Sequence, residues 1–295
     1  MPIFQIKNNK TTQVQSNINY FRNEAELRDF FAENLEDLLG MRFLEKEYPT
    51  TDGRMDTIAL DENNSPVIIE YKWGQDNSIF TQGLFYYDWL KKNKKHLELL
   101  VGSKLGEDVK VNWNKPRVIL VAQGFDNRTI VAVQQVDYVE LIKYVPYKQD
   151  ILYLENIYSP ETTKSEGIRS NKREAKRITG DYDIEYHLSQ HNSSPIIKDV
   201  FYRLQEKIKS LPDIDEVVTQ KTGITYRTTK SFTRLEFGRG VLYVLIKRPD
   251  YDDPKQLIED VTSHEWGYKG RIKIRSIKGV DDVFEIVKQS YEETL

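Results

Sequence analysis

The sequence predicts an α/β protein, with a mixed sheet flanked by helices, followed by a smaller α+β domain that contains an antiparallel meander. Three observations predict this fold. A segment with helical apolar spacing comes first, short strand patterns separated by turn residues come second, and helix and strand patterns then alternate up to about residue 158. The chain has 295 residues, of which 39% are hydrophobic, so it is long enough to bury two cores.

The first helix is predicted between Asn23 and Gly40. Asn23 can cap this helix, Glu26 three residues later completes a capping box, and apolar residues then recur at helical spacing as far as Gly40. Three strands are predicted next, in RFLEKEYPT, GRMDTIALD and SPVIIEYKW, because turn residues separate these short apolar runs.

The rest of the first domain alternates between helix and strand. A mostly helical segment extends to Gly106, and RVILVAQGF then has the continuous apolar pattern of a buried strand. A helix in NRTIVAVQQV and strands in YVELIKYV and ILYLENIY complete the domain, which we assign to residues 1–158.

A change of composition separates the two domains. Residues 159–191 are polar, charged and poor in apolar periodicity, which predicts a linker. The second domain, residues 192–295, begins with an amphipathic helix from Pro195 to Leu211 and continues as an antiparallel meander. A helix in DPKQLIEDV, a strand in GRIKIRSI and a closing helix from Asp281 are predicted after the meander.

Composition excludes several classes of site and of location. The absence of cysteine excludes disulfides, thiolate zinc sites and cysteine nucleophiles, and the four histidines lack metal-binding spacing, so any metal is expected to have oxygen ligands. No apolar run approaches the ~20 residues that span a membrane, and the N-terminal segment lacks the order of a secretion signal. We therefore expect a soluble, cytoplasmic protein that does not contact a membrane.

Two acids and a lysine are the candidate chemical groups of the first domain. Glu70 and Lys72 share one face of a strand that otherwise consists of apolar and aromatic residues. Burying their charges is costly unless each finds a partner, and a hairpin would bring Asp56 of the preceding strand beside Glu70. Two carboxylates and a strand carbonyl, here that of Tyr71, suit Mg²⁺ or Mn²⁺, whereas a polar outer face or a cross-strand ion pair is the alternative without chemistry.

The spacing of these residues resembles a known nuclease motif. Asp56 and, fourteen residues later, Glu70-Tyr71-Lys72 are similar to the D…(D/E)-x-K motif of the PD-(D/E)XK, or restriction-endonuclease-like, superfamily. Met55 stands where the motif's namesake has proline. The sequence around the motif is similar to that of RecB- and NucS-like endonuclease-related proteins over roughly residues 20 to 125, and Gln82 with Tyr86 matches the QxxxY element of RecB-type nucleases.

This resemblance implies a restriction-endonuclease-like fold and an Mg²⁺- or Mn²⁺-dependent nuclease, with DNA favoured over RNA as substrate. By resemblance, Asp56 and Glu70 would be metal ligands and Lys72 the catalytic lysine. Glu24 on the first helix would be a supporting acid, with Glu26 as the alternative. The resemblance also implies that two residues of the following helix face the substrate, Gln82 and Tyr86.

Other charged residues have both a functional and an ordinary interpretation. Lys91 and Lys92 are candidate phosphate contacts, although such a lysine run is usually a solvated helix face. The basic cluster at residues 172–177 has the same two interpretations. Glu47 could reach the acidic site from the first strand, although a solvated strand end is the more ordinary position for it.

A rival hypothesis belongs to a different class of function. The net charge of −3 gives no overall attraction to nucleic acid and favours a catalytically inactive, nuclease-like binding or adaptor module. Through FTRLEFGRGVLYVLIKRPDYDDP and HEWGYKGRIKI, the second domain resembles a domain of unknown function sometimes labelled a predicted transport protein, and it is a candidate site for a protein or ligand partner. The sequence is also compatible with a homodimer.

Overall fold

The computed structural model describes residues 2–74, 78–160, 183–190, 193–218, 223–262 and 267–295. The chain divides into two compact units, Met1–Pro160 and Glu161–Leu295. The basic cluster predicted at residues 172–177 lies outside the described residues. Within the described ranges, every helix is too short or too polar to cross a lipid bilayer.

The first unit contains a two-stranded hairpin and a six-stranded mixed sheet flanked by helices. Its described elements, in chain order, are β1 (Ile3–Lys7), β2 (Lys10–Val14), α1 (Glu24–Glu33), α2 (Leu35–Leu39), β3 (Arg42–Thr50), β4 (Gly53–Leu60), β5 (Pro66–Lys72), α3 (Ser78–Lys92), α4 (Lys94–Leu105), β6 (Arg117–Ala122), α5 (Asn127–Val133), β7 (Val139–Tyr147) and β8 (Ile151–Tyr158).

The six-stranded sheet has the order β3-β4-β5-β6-β7-β8. The strands β5, β6 and β7 are parallel to one another, whereas the other neighbouring pairs are antiparallel. The helical segment between β5 and β6 provides the crossover that parallel strands require. The predicted mixed sheet is therefore confirmed.

Strand β5 lies at the centre of the sheet and is covered on both faces. Ile69 and Tyr71 pack into a core that includes Phe31 of α1, whereas Ile68 packs into the opposite core with Leu90 of α3. Burial on both faces explains why the strand is almost continuously apolar. A charged residue in this strand is therefore an exception that needs a physical reason.

The first predicted helix is two helices in the structure. The break lies at Asn34, whose backbone leaves the helical region with φ −117° and ψ 21°, while its side-chain Nδ2 donates to the carbonyl of Phe30 at 2.8 Å. Asparagine competes for backbone hydrogen bonds in this way, which interrupts a helix. Gly40 ends α2 in the left-handed conformation, as its position in the sequence predicts.

The second unit contains a six-stranded antiparallel sheet with the order β13-β14-β12-β11-β10-β9. Two amphipathic helices pack on one face of this sheet, and their apolar residues form a single core with it. Its described elements are α6 (Ile184–Gln190), α7 (Pro195–Lys209), β9 (Asp215–Val217), β10 (Ile224–Arg227), β11 (Ser231–Gly238), β12 (Val241–Ile246), β13 (Ile258–Asp260), β14 (Gly270–Ile274) and α8 (Val280–Glu292), the last preceded by a 3-10 turn at Ile277–Gly279.

Two predictions for this region need correction. Residues 184–190 of the predicted linker form α6, because Leu188 packs into the core of the second unit. The helix predicted in DPKQLIEDV is instead a loop followed by strand β13, which pairs with β14. The carboxylate of Glu259 in β13 forms ion pairs with Arg271 and Lys273 of β14 at 3.0 and 2.9 Å, and such cross-strand contacts override a local helical pattern.

Candidate active site

The candidate site lies where β4 and β5 stop pairing. The regular ladder reaches Thr57 opposite Ile69. Beyond this pair, the Asp56 N–H donates to Oε1 of Glu70 at 3.1 Å, and the Tyr71 N–H donates to Oδ2 of Asp56 at 3.0 Å. The two carboxylates thus replace backbone carbonyls as acceptors, and the structure brings together the two acids that the sequence pairs.

Burial makes this acid pair electrostatically costly. Burial raises the pKa of the Glu70 carboxyl well above its ordinary value, and the neighbouring Asp56 carboxylate raises it further. Burial is also the main cause that raises the pKa of Asp56, although the hydrogen bond from the Tyr71 N–H opposes it. Because the buried Glu70 and the partly buried Asp56 lie side by side, a bound cation would relieve both their desolvation and their repulsion.

We expect Glu70→Gln to stabilise the metal-free protein at pH 7. The pKa of Glu70 is higher in the folded state than its ordinary value of 4.5, so the folded state binds more protons and the free energy of unfolding falls as pH rises through and above that value. Glutamine removes this penalty. The penalty is about 1.4 kcal/mol for each unit by which folding raises the pKa of Glu70. The measurement is urea unfolding of both proteins from pH 4 to pH 8 with chelator present.

The expected gain is absent at the acidic end of this range, where wild-type Glu70 is protonated, and grows toward neutral pH. Glu33→Gln, which changes an exposed acid on α1, is the matched control and should give no pH-dependent gain. A constant difference between Glu70→Gln and wild type at every pH would contradict the explanation based on proton binding.

Lys72 contacts the first helix. Its Nζ donates to Oε1 of Glu24 at 2.9 Å, and the lysine side chain is only 13% exposed. Asn23 caps α1 by accepting the Glu26 N–H, which makes Glu24 the first helical residue. Of the two acids considered for α1, Glu24 therefore lies at Lys72, whereas the Glu26 carboxylate binds Arg22.

Arg28 is a charged residue near the site that the sequence analysis missed. It lies one turn after Glu24 on α1, its side chain is mostly buried, and its guanidinium pairs with Glu47 at 3.3 Å and with Asp29 at 3.2 Å. Its positive charge is also one of the smaller causes that oppose the rise in the pKa of Asp56. The four-residue spacing from Glu24 places both residues on one helix face and is the signal that could have identified it.

Glu47 lies on β3 with a left-handed backbone, at φ 52°, between residues that pair with β4 on either side. Its carboxylate pairs with Arg28, and with Arg54 at 3.8 Å. Glu47, which the sequence offered as a further acid for the site, therefore contacts the arginine beside the site instead. A left-handed non-glycine residue in a strand is an unusual conformation that surrounding contacts must hold.

Helix α3 packs against the face of β5 opposite to the face that α1 covers. The Tyr86 ring is buried rather than facing solvent, and its hydroxyl is 2.8 Å from the position that a Cβ would take on Gly53, whose φ is 126°. A residue other than glycine at position 53 would therefore be strained and would also meet this hydroxyl. Burial, followed by the charge of Glu70, raises the pKa of Tyr86, so its phenol lies within the electrostatic range of the site.

The other residues of α3 that the sequence predicts as substrate contacts are Gln82, Lys91 and Lys92, and they lie at two separate places on the helix. The Oε1 atom of Gln82 is buried, and it has no hydrogen-bond partner among the described residues. Gly83 lets α3 approach β6, because a Cβ there would lie 2.9 Å from Cγ1 of Val118. Lys91 and Lys92 lie exposed at the far end of α3, about 14 Å along the helix from Gln82, where Lys92 pairs with Asp88 at 2.6 Å.

The donor set fits a hard divalent cation better than it fits zinc. Across the described ranges of the chain, no group of three or more His, Asp and Glu side chains is arranged to hold a metal ion. The predicted ligands are instead two carboxylates and a backbone carbonyl, and Asp56 and Glu70 do meet at the gap between their strands. All of these donors are oxygens, which Mg²⁺ and Mn²⁺ prefer.

Comparisons with known proteins give one relative and two partial structural likenesses. No protein-family model matches the chain. An uncharacterized protein of Haemophilus influenzae is 28% identical over 307 residues, covering 99% of this chain and 100% of that protein. A repair endonuclease from Pyrococcus abyssi matches 42% of this chain and 47% of its own chain, at 24% identity and a TM-score of 0.31. An EndoMS–dsDNA2 complex matches 46% of this chain and 61% of its own chain, at 15% identity and a TM-score of 0.25.

Proposed function

We propose that this protein is a metal-dependent nuclease that hydrolyses phosphodiester bonds of nucleic acid, with DNA as the first substrate to test. The observation that carries the proposal is the pair of carboxylates at the gap between β4 and β5, the buried Glu70 and the partly buried Asp56. An acid pair whose pKa values are raised by desolvation is typical of functional sites, because keeping two acids together without a cation is costly.

Asp56, Glu70 and the carbonyl of Tyr71 would hold Mg²⁺ or Mn²⁺. When bound, such an ion polarises a phosphate oxygen and acidifies a water molecule. The Lys72 ammonium can donate hydrogen bonds to the attacking water and to a phosphate oxygen, and Glu24 keeps that ammonium in place. The water oxygen forms the new bond to phosphorus as the bond to the leaving oxygen breaks.

The charge that develops on the phosphate needs cations near the acid pair. Arg28 contributes a fixed positive charge, because its guanidinium is held by Asp29 and Glu47. Lys91 and Lys92 are candidates for contacts to more distant phosphates, since they are exposed and lie on the helix that packs beside the site. Since the chain as a whole carries a net charge of −3, binding should depend on these local cations and weaken as salt rises.

The test is cleavage of labelled single-stranded, duplex and branched DNA and of RNA by the purified protein with Mg²⁺ or Mn²⁺. We expect cleavage of at least one substrate and its complete loss when chelator removes the metal. Glu70→Gln purified in parallel controls for contaminating nucleases and should be inactive. Equal cleavage by Glu70→Gln and wild type, or cleavage that persists in chelator, would reject the proposal.

The binding module is the second candidate function. Pairing of Glu24 with Lys72 favours it, because this ion pair removes the third acid from the metal site. Nucleic-acid binding without cleavage under any metal condition is its expected result. A homodimer and a partner for the second unit stay predictions.

A further inference from the structure

A groove of about 790 Å³ lies in the first unit, where β7 changes neighbours. Strand β6 pairs with β7 only as far as Ala122, opposite Lys143. Farther along β7, Ser16 of the segment after β2 takes the place of β6 and forms an antiparallel bridge with Tyr147. Gln123, which follows β6, and Ser16 both line this β6–β7 groove, so it opens at the end of β6.

The lining of the β6–β7 groove favours an anion. Among the described residues that line it, Lys143 is the only one with a formal charge at pH 7, and it is accompanied by hydroxyl and amide groups that include those of Ser16 and Gln15. Lys148 borders the groove, because its Nζ donates to Oε1 of Gln15 at 2.7 Å. One cation inside, a second at the border and neutral hydrogen-bond donors form a surface that suits phosphate oxygens.

The groove contacts the residue next to Lys72. Tyr144 is a buried residue that lines the groove, and its hydroxyl donates to the carbonyl of Trp73 at 2.9 Å. Burial is the main cause that raises the pKa of Tyr144, and a hydrogen bond with Gln123 opposes the rise. The charge of Glu24, the partner of Lys72, adds to the rise. The groove therefore lies within electrostatic range of the candidate active site.

Lys143 and Lys72 stand in one row across the sheet, because both are opposite Ala122 of β6. Neighbouring strands lie ~4.8 Å apart, so two strand spacings, about 10 Å, separate the backbones at the two lysines. Both lie toward the carboxyl ends of parallel strands, which is where open α/β sheets commonly bind ligands. A nucleic-acid strand that leaves the acid pair can therefore meet Lys143 along the same edge of the sheet.

The ion pair of Lys143 leaves its ammonium available to a ligand. Its Nζ lies 3.6 Å from Oε2 of Glu155 on β8, and both side chains are about a third exposed. A long pair between partly exposed side chains contributes little free energy, so a phosphate oxygen can replace the carboxylate.

We propose that the β6–β7 groove binds a backbone phosphate of the nucleic-acid strand that is cleaved at the acid pair, with Lys143 as the cation. The inference rests on the proposed nuclease function and deepens it, because it gives the path of the substrate from the acid pair across the carboxyl ends of β5, β6 and β7. A phosphate contact positions the strand and carries no sequence information, so it acts on every sequence alike.

The test compares two lysine–glutamate pairs of similar exposure. Lys143 pairs with Glu155, whereas Lys104 of α4 pairs with Glu45 of β3, at the far edge of the sheet, and all four side chains are between 32% and 42% exposed. Each residue is changed to glutamine in the Asp56→Ala background, which removes the proposed chemistry. Fluorescence anisotropy over a range of salt concentrations then gives the affinity for a labelled oligothymidine and for a blunt duplex.

We expect Lys143→Gln to weaken binding about three- to tenfold and to lower the slope of log affinity against log salt by about 0.7 to 0.9, which is the contribution of one phosphate contact. Glu155→Gln breaks the same ion pair but leaves the ammonium free, so it should keep or raise the affinity. Lys143→Arg should retain it. Lys104→Gln and Glu45→Gln change the net charge equally and should each change the affinity less than about twofold.

Three results would overturn the inference. An equal loss in Lys143→Gln and Glu155→Gln would show that only the ion pair matters, and an equal loss in Lys143→Gln and Lys104→Gln would show an effect of net charge alone. Absence of any oligonucleotide binding at low salt would exclude the groove as a nucleic-acid site.

Binding and cleavage are measured separately, so the two proposals can fail separately. If the wild-type protein cleaves in a metal-dependent way but affinity is independent of Lys143, only the groove loses its role. If no substrate is cleaved but affinity depends on Lys143, the nuclease proposal fails and the groove stands as a nucleic-acid binding site.

Discussion

Lys72→Ala is expected to lower the cleavage rate by about two to three orders of magnitude while leaving metal uptake intact. The ammonium belongs to a mostly buried side chain that Glu24 holds in place, and removal of one such preorganised donor from the transition state has an effect of this size. Asp56→Ala should lose both cleavage and Mn²⁺ uptake, because it removes a proposed ligand. Single-turnover cleavage and calorimetric titration with Mn²⁺ measure the two effects separately.

Asp52→Ala is the matched control, since Asp52 is an exposed acid in the turn just before β4. It should behave as wild type in both measurements. Glu24→Gln keeps the shape of the side chain that positions Lys72, so a smaller loss of rate is expected from it than from Lys72→Ala. Mn²⁺ uptake that survives in Asp56→Ala would contradict the assignment of this residue as a ligand.

The largest expected effect on stability comes from Arg117, at the start of β6 and the opposite end of β5 from the candidate site. Its guanidinium pairs with the buried carboxylate of Asp61, and its Nε lies 3.0 Å from Oε1 of Glu140. Both acids are less than 10% exposed. We expect Arg117→Met to lower the free energy of unfolding by about 3 to 5 kcal/mol, because two buried acids would lose their cation.

Urea unfolding at pH 7 measures this loss. The loss should shrink in the triple variant with Asp61→Asn and Glu140→Gln, since no uncompensated charge then remains buried. Lys92→Met is the control, because it removes one partner of the exposed Lys92–Asp88 pair and should cost less than about 1 kcal/mol. An equal loss in Arg117→Met and Lys92→Met would show that the buried network does not stabilise the fold.

The sequence predicted the local order of this site because the signals are short-range. Asp56, Glu70 and Lys72 lie on adjacent strands of a hairpin, so alternation and a short loop were enough to bring them together. The N-terminal hairpin of β1 and β2 was missed, although Asn8 and Asn9 at its turn, with φ 50° and 58°, carry the asparagine signal of such turns.

Other features depend on contacts between residues distant in the chain. Lys72 and Glu24 lie 48 positions apart in the chain. The packing of α1 against the sheet brings Glu24, rather than Glu26, to Lys72. Arg28 and Glu47 likewise meet only after α1 packs beside β3. Local periodicity carries no information on such pairs. It also gave a helix where Glu259 lies in a strand, β13, that pairs with β14.

The sequence by itself determined the mixed sheet of the first unit, the antiparallel sheet of the second and the pairing of Asp56 with Glu70, because each follows from hydrophobic period and short turns. Only the tertiary structure decided that β4 and β5 separate at these acids and that Lys72 is held by Glu24. The physical reason is that burial and charge pairing depend on which elements pack together, which local patterns do not specify.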